Sequence, residues 1–99
     1  MLKPSLRTRY RYILFEVIGE KVEEPEKMVY KELINLVGKI GAAEMGIKVM
    51  SKNNKFFIKV ERDYLNIVRG IIPLIKHLGN YKARPLILKT SGTIKKTVI

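Results

Sequence analysis

Four stretches of the chain alternate apolar and polar positions with the two-residue period of a β-strand. The first covers residues 9–18 and the last covers residues 84–90. Between them, residues 47–51 and 55–61 lie on either side of Lys52-Asn53-Asn54, which is a typical hairpin turn. The pattern therefore predicts four strands, with the middle two joined as a hairpin.

Two further stretches repeat apolar residues at helical spacing. Pro25, among glutamates, predicts the start of the first helix, and Gly41 predicts its end. Asp63 is the predicted N-cap of the second helix, residues 78–80 its predicted end, and Pro73 is expected to kink or split it. The apolar positions are Val29, Leu33, Leu36, Val37 and Ile40, then Leu65, Val68, Ile72 and Ile75.

The resulting order βαββαβ predicts an α+β fold, a ferredoxin-like or RRM-like α-β sandwich with a four-stranded antiparallel sheet and a short C-terminal extension. Both helices are expected on one face of the sheet. No linker, repeat or low-complexity segment divides the chain, so residues 1–99 are predicted to form a single RRM-like RNA-binding domain.

The second face of the sheet is then left without helices. If Ile13, Phe15 and Val17 face the helices, alternation turns their neighbours away, although a register shift of one residue would exchange the two faces. Such a face can stack bases or bind another protein. The predicted protein contacts on it are Tyr10, Tyr12, Leu14, Met50 and Phe57, with Lys48, Lys59 and Lys89 beside them.

Charge is strongly segregated along the sequence. The 99 residues contain 20 Lys and Arg against 9 Asp and Glu, a formal net charge of +11. No acid occurs in residues 1–15 or 64–99, whereas five of the nine acids lie within residues 20–32. A lysine-rich solvated surface usually mixes both signs, so this segregation favours a polyanionic partner such as nucleic acid.

The chemistry needed for a self-sufficient active site is nearly absent from the sequence. His77 is the only histidine, no His/Asp/Glu set has metal-ligand spacing, and there is no P-loop or dinucleotide-binding fingerprint. The absence of cysteine rules out a thiolate metal site and fits a reducing cytoplasm. No apolar run is long enough for a bilayer. We therefore expect a cytoplasmic protein with no catalytic residues, metal or cofactor of its own and no membrane contact.

Two motifs of RNA-binding domains are matched only in part. Gly38 to Gly41 fits the GxxG pattern of KH domains, but that motif needs a helix on both sides, so a helix end followed by a turn is the favoured interpretation. Residues 55–60 lie where an RRM carries its base-stacking aromatics, yet they lack the glycine and the regular aromatic pair.

Basic residues also gather at both ends of the chain. Arg7, Arg9 and Arg11 alternate, so a strand would place them on one side, suited to successive phosphates; an unstructured basic terminus is an equally good interpretation. Near the other end, the stretch 91–96 can cap a helix or leave backbone N–H groups free to bind an anion, and local physics alone slightly favours the cap.

The sequence resembles the archaeal ribonuclease P protein component 2 family, whose eukaryotic relative is shared with ribonuclease MRP. Residues 6–17 resemble the opening of that family, and residues 41–49 are similar to its second-strand region. Residues 60–63, followed by Val68-Arg69, resemble its third strand and second helix. Residues 91–96 resemble its end signature, the most distinctive part of the likeness.

The resemblance implies a non-catalytic subunit of the ribonucleoprotein that removes the 5′ leader of precursor tRNA, an endoribonuclease in which the RNA is the catalyst and holds the required Mg²⁺. It implies ribonuclease P RNA as the direct partner, precursor tRNA as an indirect one, and a TIM-barrel-like protein subunit in a pair or a heterotetramer. A sheet-mediated protein-interaction module and another KH-like or RRM-like RNA-binding domain are the alternatives. The predicted RNA-binding residues are Arg7, Arg9, Arg11, Lys89, Ser91, Gly92, Thr93, Lys95 and Lys96.

Overall fold

A four-stranded antiparallel sheet and two helices make up residues 9–92, the part of the chain that the structure, a computed structural model, describes. The strands are β1 (Tyr10–Gly19), β2 (Lys48–Lys52), β3 (Lys55–Glu61) and β4 (Ala83–Ser91), and the helices are α1 (Pro25–Met45) and α2 (Leu65–Ile71). The spatial order of the strands is β2-β3-β1-β4. This order confirms the predicted ferredoxin-like arrangement.

The hydrophobic core lies between the helices and one face of the sheet. Alternate residues of β1 and β3 are completely or almost completely buried there, and so are apolar residues of both helices. The rings of Phe15 and Phe56 stack within this layer, with centroids 5.8 Å apart. The buried core residues of these elements are Ile13, Phe15, Ile58, Val60, Val29, Leu33, Ala42 and Val68. Both helices therefore cover the same face of the sheet, as predicted.

The first helix runs beyond its predicted end. It breaks at Gly38, whose φ of 80° and ψ of 162° are not helical, then resumes and ends at Met45, with Gly46 as its C-cap. Ala42, after the break, is buried in the core, and this packing holds the last turns against the sheet. The prediction that Gly41 ends the helix is therefore wrong. Since only Gly38 leaves the helical conformation, Gly38 to Gly41 do not form a GxxG loop.

The second helix is shorter than its apolar pattern predicted. Asp63 lies inside a 3₁₀ turn, Arg62–Tyr64, and no side chain caps the helix, so the predicted N-cap is wrong. At the other end α2 passes into a second 3₁₀ turn, Ile72–Leu74, because Pro73 cannot donate the next helical hydrogen bond. The helix is thus split at Pro73, as expected, and residues 78–80 lie in a separate turn instead of ending it.

Two tight connections fix the register of the sheet. Asn53 and Asn54 both have positive φ, 54° and 64°, which is the geometry of the two-residue turns favoured in hairpins. At the far end of β1, Gly19 has a φ of 110°, and a Cβ there would lie 2.2 Å from the carbonyl oxygen of Lys82. The Glu20 N–H donates to that same carbonyl at 3.0 Å. These connections set which residues of neighbouring strands stand side by side.

Candidate nucleic-acid interface

The strand register arranges the residues that face away from the helices into rows; we call this side of the sheet the outer face. One row crosses all four strands as Lys48, Lys59, Tyr12 and Ser91. The next row is Met50, Phe57, Leu14 and Lys89. All of the residues predicted to face away from the helices on β1, β2 and β3 thus share one surface, so the assignment of the two faces was correct.

Two residues of the predicted protein contact are not accessible on this surface. Leu14 is 6% exposed and Phe57 is completely buried, although neither belongs to the core under the helices. Tyr10, Tyr12 and Met50 are half-buried. Leu14 and Phe57 are therefore too buried to offer an accessible contact surface in this structure. A protein contact through Tyr10, Tyr12 and Met50 stays a prediction.

The aromatic residues of β3 also differ from those of a base-stacking RRM. Phe56 packs toward the core against Phe15, and Phe57 has no exposed ring. On the outer face the accessible rings are those of Tyr10 and Tyr12. The ammonium group of Lys59 lies over the Tyr10 ring, 4.0 Å from its centroid, in a cation–π contact. This part of the surface therefore joins positive charge to aromatic area.

The start of β1 and the end of β4 meet at one edge of the structure. Arg11 donates from Nη1 to the Tyr10 carbonyl at 3.1 Å, and this nitrogen lies 3.6 Å from the position that a Cβ on Gly92 would occupy. Ser91 stands opposite Tyr12. The structure thus brings an arginine from the beginning of the chain to Ser91 and Gly92 at the end of β4.

The described members of the predicted RNA-binding set lie on two sides of the sheet. Arg11 alternates with Tyr10 and Tyr12, which places it on the helix side at the end of the strand, while Lys89 lies on the outer face opposite Leu14. Arg9 and Lys89 are exposed and Arg11 is half-buried. The remaining members, Arg7, Thr93, Lys95 and Lys96, lie outside the described residues.

Positive charge on the outer face extends beyond the predicted residues. Lys48, Lys52 and Lys55 are exposed on the β2–β3 hairpin, with Lys59 half-buried next to them. The signal was present in the sequence, because a two-residue turn at Asn53-Asn54 pairs Lys52 with Lys55 and hence Lys48 with Lys59. Alternation had assigned Lys48 and Lys59 to this face, but the binding set included neither.

The described part of the chain was also searched for metal ligands. Within residues 9–92 no three His, Cys, Asp or Glu side chains come together as metal ligands, and His77 is exposed. A cavity of about 250 Å³ lies between the start of α1 and β2, where Tyr30, Ile47 and Val49 line much of it. Among these same residues, no helix is long and apolar enough to cross a membrane.

Comparison with known proteins identifies the family. The model of the Rpp14/Pop5 family matches residues 11–98 of the chain. The chain belongs to this family. It is 30% identical to the ribonuclease P protein component 2 of Thermococcus gammatolerans over 96% of its own length and 84% of that relative. Identity to the proteins of the same name from Archaeoglobus fulgidus and Methanosarcina barkeri is 32% and 31%, over 90% and 73% of those relatives.

The match to the Rpp14/Pop5 family spans the whole sheet apart from the first residue of β1. It includes Arg11, Gly92 and the complete lysine-bearing hairpin. In this member of the family, positive charge is therefore displayed on two surfaces, the Arg11–Gly92 edge and the outer face.

Proposed function

We propose that this chain is a non-catalytic protein subunit of ribonuclease P, supporting a catalytic RNA in the removal of the 5′ leader from precursor tRNA. The observation that carries the proposal is its likeness, over 96% of its length, to relatives named ribonuclease P protein component 2. The net charge of +11 and the segregation of that charge along the chain support an RNA partner.

The protein's role in this proposal is electrostatic. Lysine and arginine side chains neutralise phosphates that the folded RNA packs close together, and binding releases the counterions that had screened them. Less Mg²⁺ is then needed to hold the RNA in its active fold. The Mg²⁺ is assigned to the RNA, and hydrolysis of the phosphodiester bond takes place in the cytoplasm within the assembled endoribonuclease.

The partners in the proposal are ribonuclease P RNA, precursor tRNA through that RNA, and a TIM-barrel-like protein subunit in a pair or a heterotetramer. Half-buried Tyr10, Tyr12 and Met50 provide apolar area for a protein contact on the outer face. The Arg11–Gly92 edge provides charge for RNA on the opposite side of β1.

Reconstitution tests the proposal directly. Ribonuclease P RNA and its partner protein would be assembled with and without this chain, and cleavage of a precursor tRNA leader followed at limiting Mg²⁺. We expect the chain to raise the cleavage rate and lower the Mg²⁺ optimum. No gain in cleavage would contradict the proposal.

Neutralising the terminal basic residues tests the electrostatic role separately. Changing Arg7, Arg9 and Arg11 to Gln, or Lys95 and Lys96 to Gln, should raise the Mg²⁺ concentration that the particle requires. Changing exposed Lys31 and Lys39 of α1 to Gln supplies a control for loss of net charge. An unchanged Mg²⁺ optimum in both sets of terminal variants would contradict this mechanism.

A further inference from the structure

The β2–β3 hairpin sets lysine directly opposite lysine at two positions of its ladder. Lys48 pairs with Lys59 and Lys52 pairs with Lys55, while Met50 and Phe57 form the pair between them. Because side chains alternate along a strand, all four lysines project from the outer face. Like charges directly opposite each other in a sheet destabilise the pairing. The hairpin thus carries unfavourable charge at both ends of its ladder.

No carboxylate of the described residues forms an ion pair with these lysines, although Glu61 lies two residues from Lys59 on the same face of β3. The ion pairs formed within residues 9–92 are Lys27 with Glu24 at 3.1 Å and Arg62 with Asp63 at 3.8 Å, both away from the hairpin. Lys59 is held by the Tyr10 ring instead of an acid, and this contact leaves its charge unneutralised. Four ammonium groups are therefore available to an anionic partner.

We propose that these four lysines, the lysine hairpin, form a second RNA-binding surface that contacts the phosphodiester backbone. The inference rests on the proposed function and extends it, because it assigns RNA contact to a surface separate from the chain ends. Charge complementarity indicates which kind of molecule binds the lysine hairpin. RNA carries a regular series of phosphates, and the four lysines outnumber Glu16 and Glu61, the two acids of β1 and β3 on the same face, so this surface attracts a polyanion.

The spacing of the two lysine pairs suits a backbone contact. Four residues along a strand span about 13 Å, so the Lys48–Lys59 pair and the Lys52–Lys55 pair reach different phosphates. Lysine acts as a flexible point charge on a long stem and does not read base edges. The hairpin therefore adds affinity and orientation without sequence preference. RNA binding also removes the repulsion within each pair, which favours the bound state.

The test compares two variants that lose the same charge. The hairpin variant carries Lys48→Gln, Lys52→Gln, Lys55→Gln and Lys59→Gln, and the control variant carries Lys21→Gln, Lys31→Gln, Lys39→Gln and Lys76→Gln, four exposed lysines elsewhere. The Kd for a ribonuclease P RNA transcript is measured over a series of salt concentrations. The logarithm of the association constant falls as the logarithm of the salt concentration rises. Each lost phosphate contact makes this slope less steep by about 0.7 to 0.9.

We expect the slope to become less steep by about 3 units in the hairpin variant and by less than about 1 unit in the control variant. Equal slopes for the two variants would overturn the inference. If the hairpin variant still binds the RNA but no longer binds the partner protein subunit, the inference is overturned, and the hairpin contacts an acidic surface of that subunit instead. If wild-type protein itself fails to bind the RNA, the proposed function fails as well, so the two failures are distinguishable.

Thermal unfolding of each variant shows whether the substitutions impair folding. Removing the like-charge pairs should raise the Tm of the hairpin variant by a few degrees, so weaker RNA binding cannot be attributed to unfolding. A variant with Lys52→Gln and Lys55→Gln alone, next to the turn, should lose about half of the slope change. If the quadruple variant is unfolded and the double variant shows the same salt slope as wild type, the inference is also overturned.

Discussion

Phe57 stands directly across the β1–β3 ladder from Leu14, and both side chains are buried on the side of the sheet that faces away from the helices. The Cα partner of Phe57 on β2 is Met50, which is half-buried. The sheet therefore has buried apolar side chains on both of its faces. The accessible part of the outer face lies around this buried pair, in its lysines and its two tyrosines.

Phe57→Ala should destabilise the isolated protein. A fully buried phenylalanine replaced by alanine loses its burial and leaves a cavity, which costs about 3 to 5 kcal/mol of unfolding free energy. Chemical denaturation of the free chain measures the loss, and Leu88→Ala, at a side chain 49% exposed, is the control with an expected change below about 1 kcal/mol. Wild-type stability in Phe57→Ala, with only protein binding lost, would show that the ring serves docking instead.

Gly19→Ala should destabilise the junction between β1 and β4. The φ of 110° is unfavourable for alanine, and the new methyl group would collide with the Lys82 carbonyl that accepts the Glu20 N–H. We expect a loss of about 2 to 4 kcal/mol, seen as a lower Tm. Lys82→Ala keeps that backbone contact and serves as the control. A Tm equal to that of wild type would mean that the chain does not require this backbone conformation.

Gly38→Ala and Gly70→Ala should change stability in opposite directions. A Cβ would meet no atom within 4 Å at either site, so the difference between them is conformational. The φ of 80° at Gly38 penalises alanine by about 1 to 3 kcal/mol, whereas alanine in α2 at position 70 gains about 0.5 to 1 kcal/mol. Denaturant midpoints of the two variants measure this. A stabilised Gly38→Ala, with more helical signal in circular dichroism, would show that α1 straightens without loss.

Gly92→Glu should weaken RNA binding through Arg11. A glutamate at this position would be close enough to pair with the guanidinium that lies beside Gly92, and so would compete with phosphate. We expect a roughly 3- to 10-fold higher Kd for ribonuclease P RNA and a smaller salt dependence. Gly92→Ala and Gly92→Gln are the controls, since a Cβ here makes only ordinary contacts. Equal affinity in all three variants would remove Arg11 from the RNA contact.

Local rules were sufficient for most of the secondary structure. Strand alternation and the Lys52-Asn53-Asn54 hairpin signature predicted the sheet to within a residue or so, because both depend on neighbouring positions along the chain. The end of α1 could not be predicted in this way. Gly38 and Gly41 are both able to stop a helix, and the packing of Ala42 into the core decided that the helix continues.

The candidate site, too, could be predicted from the sequence only in part. Alternation told which side Leu14 and Phe57 face, but not that they are buried there, because burial depends on what covers the face. The meeting of Arg11 with Gly92 depends on a β1–β4 ladder that joins distant parts of the chain. The lysine pairs, in contrast, follow from a two-residue turn and could have been read from the sequence.

The positions of these lysines also affect how separate copies of the chain behave toward one another. β2 and β4 are the two edges of the sheet, and an edge strand can pair with a strand of another molecule to begin an aggregate. β4 contains Pro85, which lacks an N–H donor, and the short β2 carries Lys48 and Lys52. The charges that we propose bind RNA therefore also repel the β2 edge of an identical molecule, which disfavours pairing between two β2 strands.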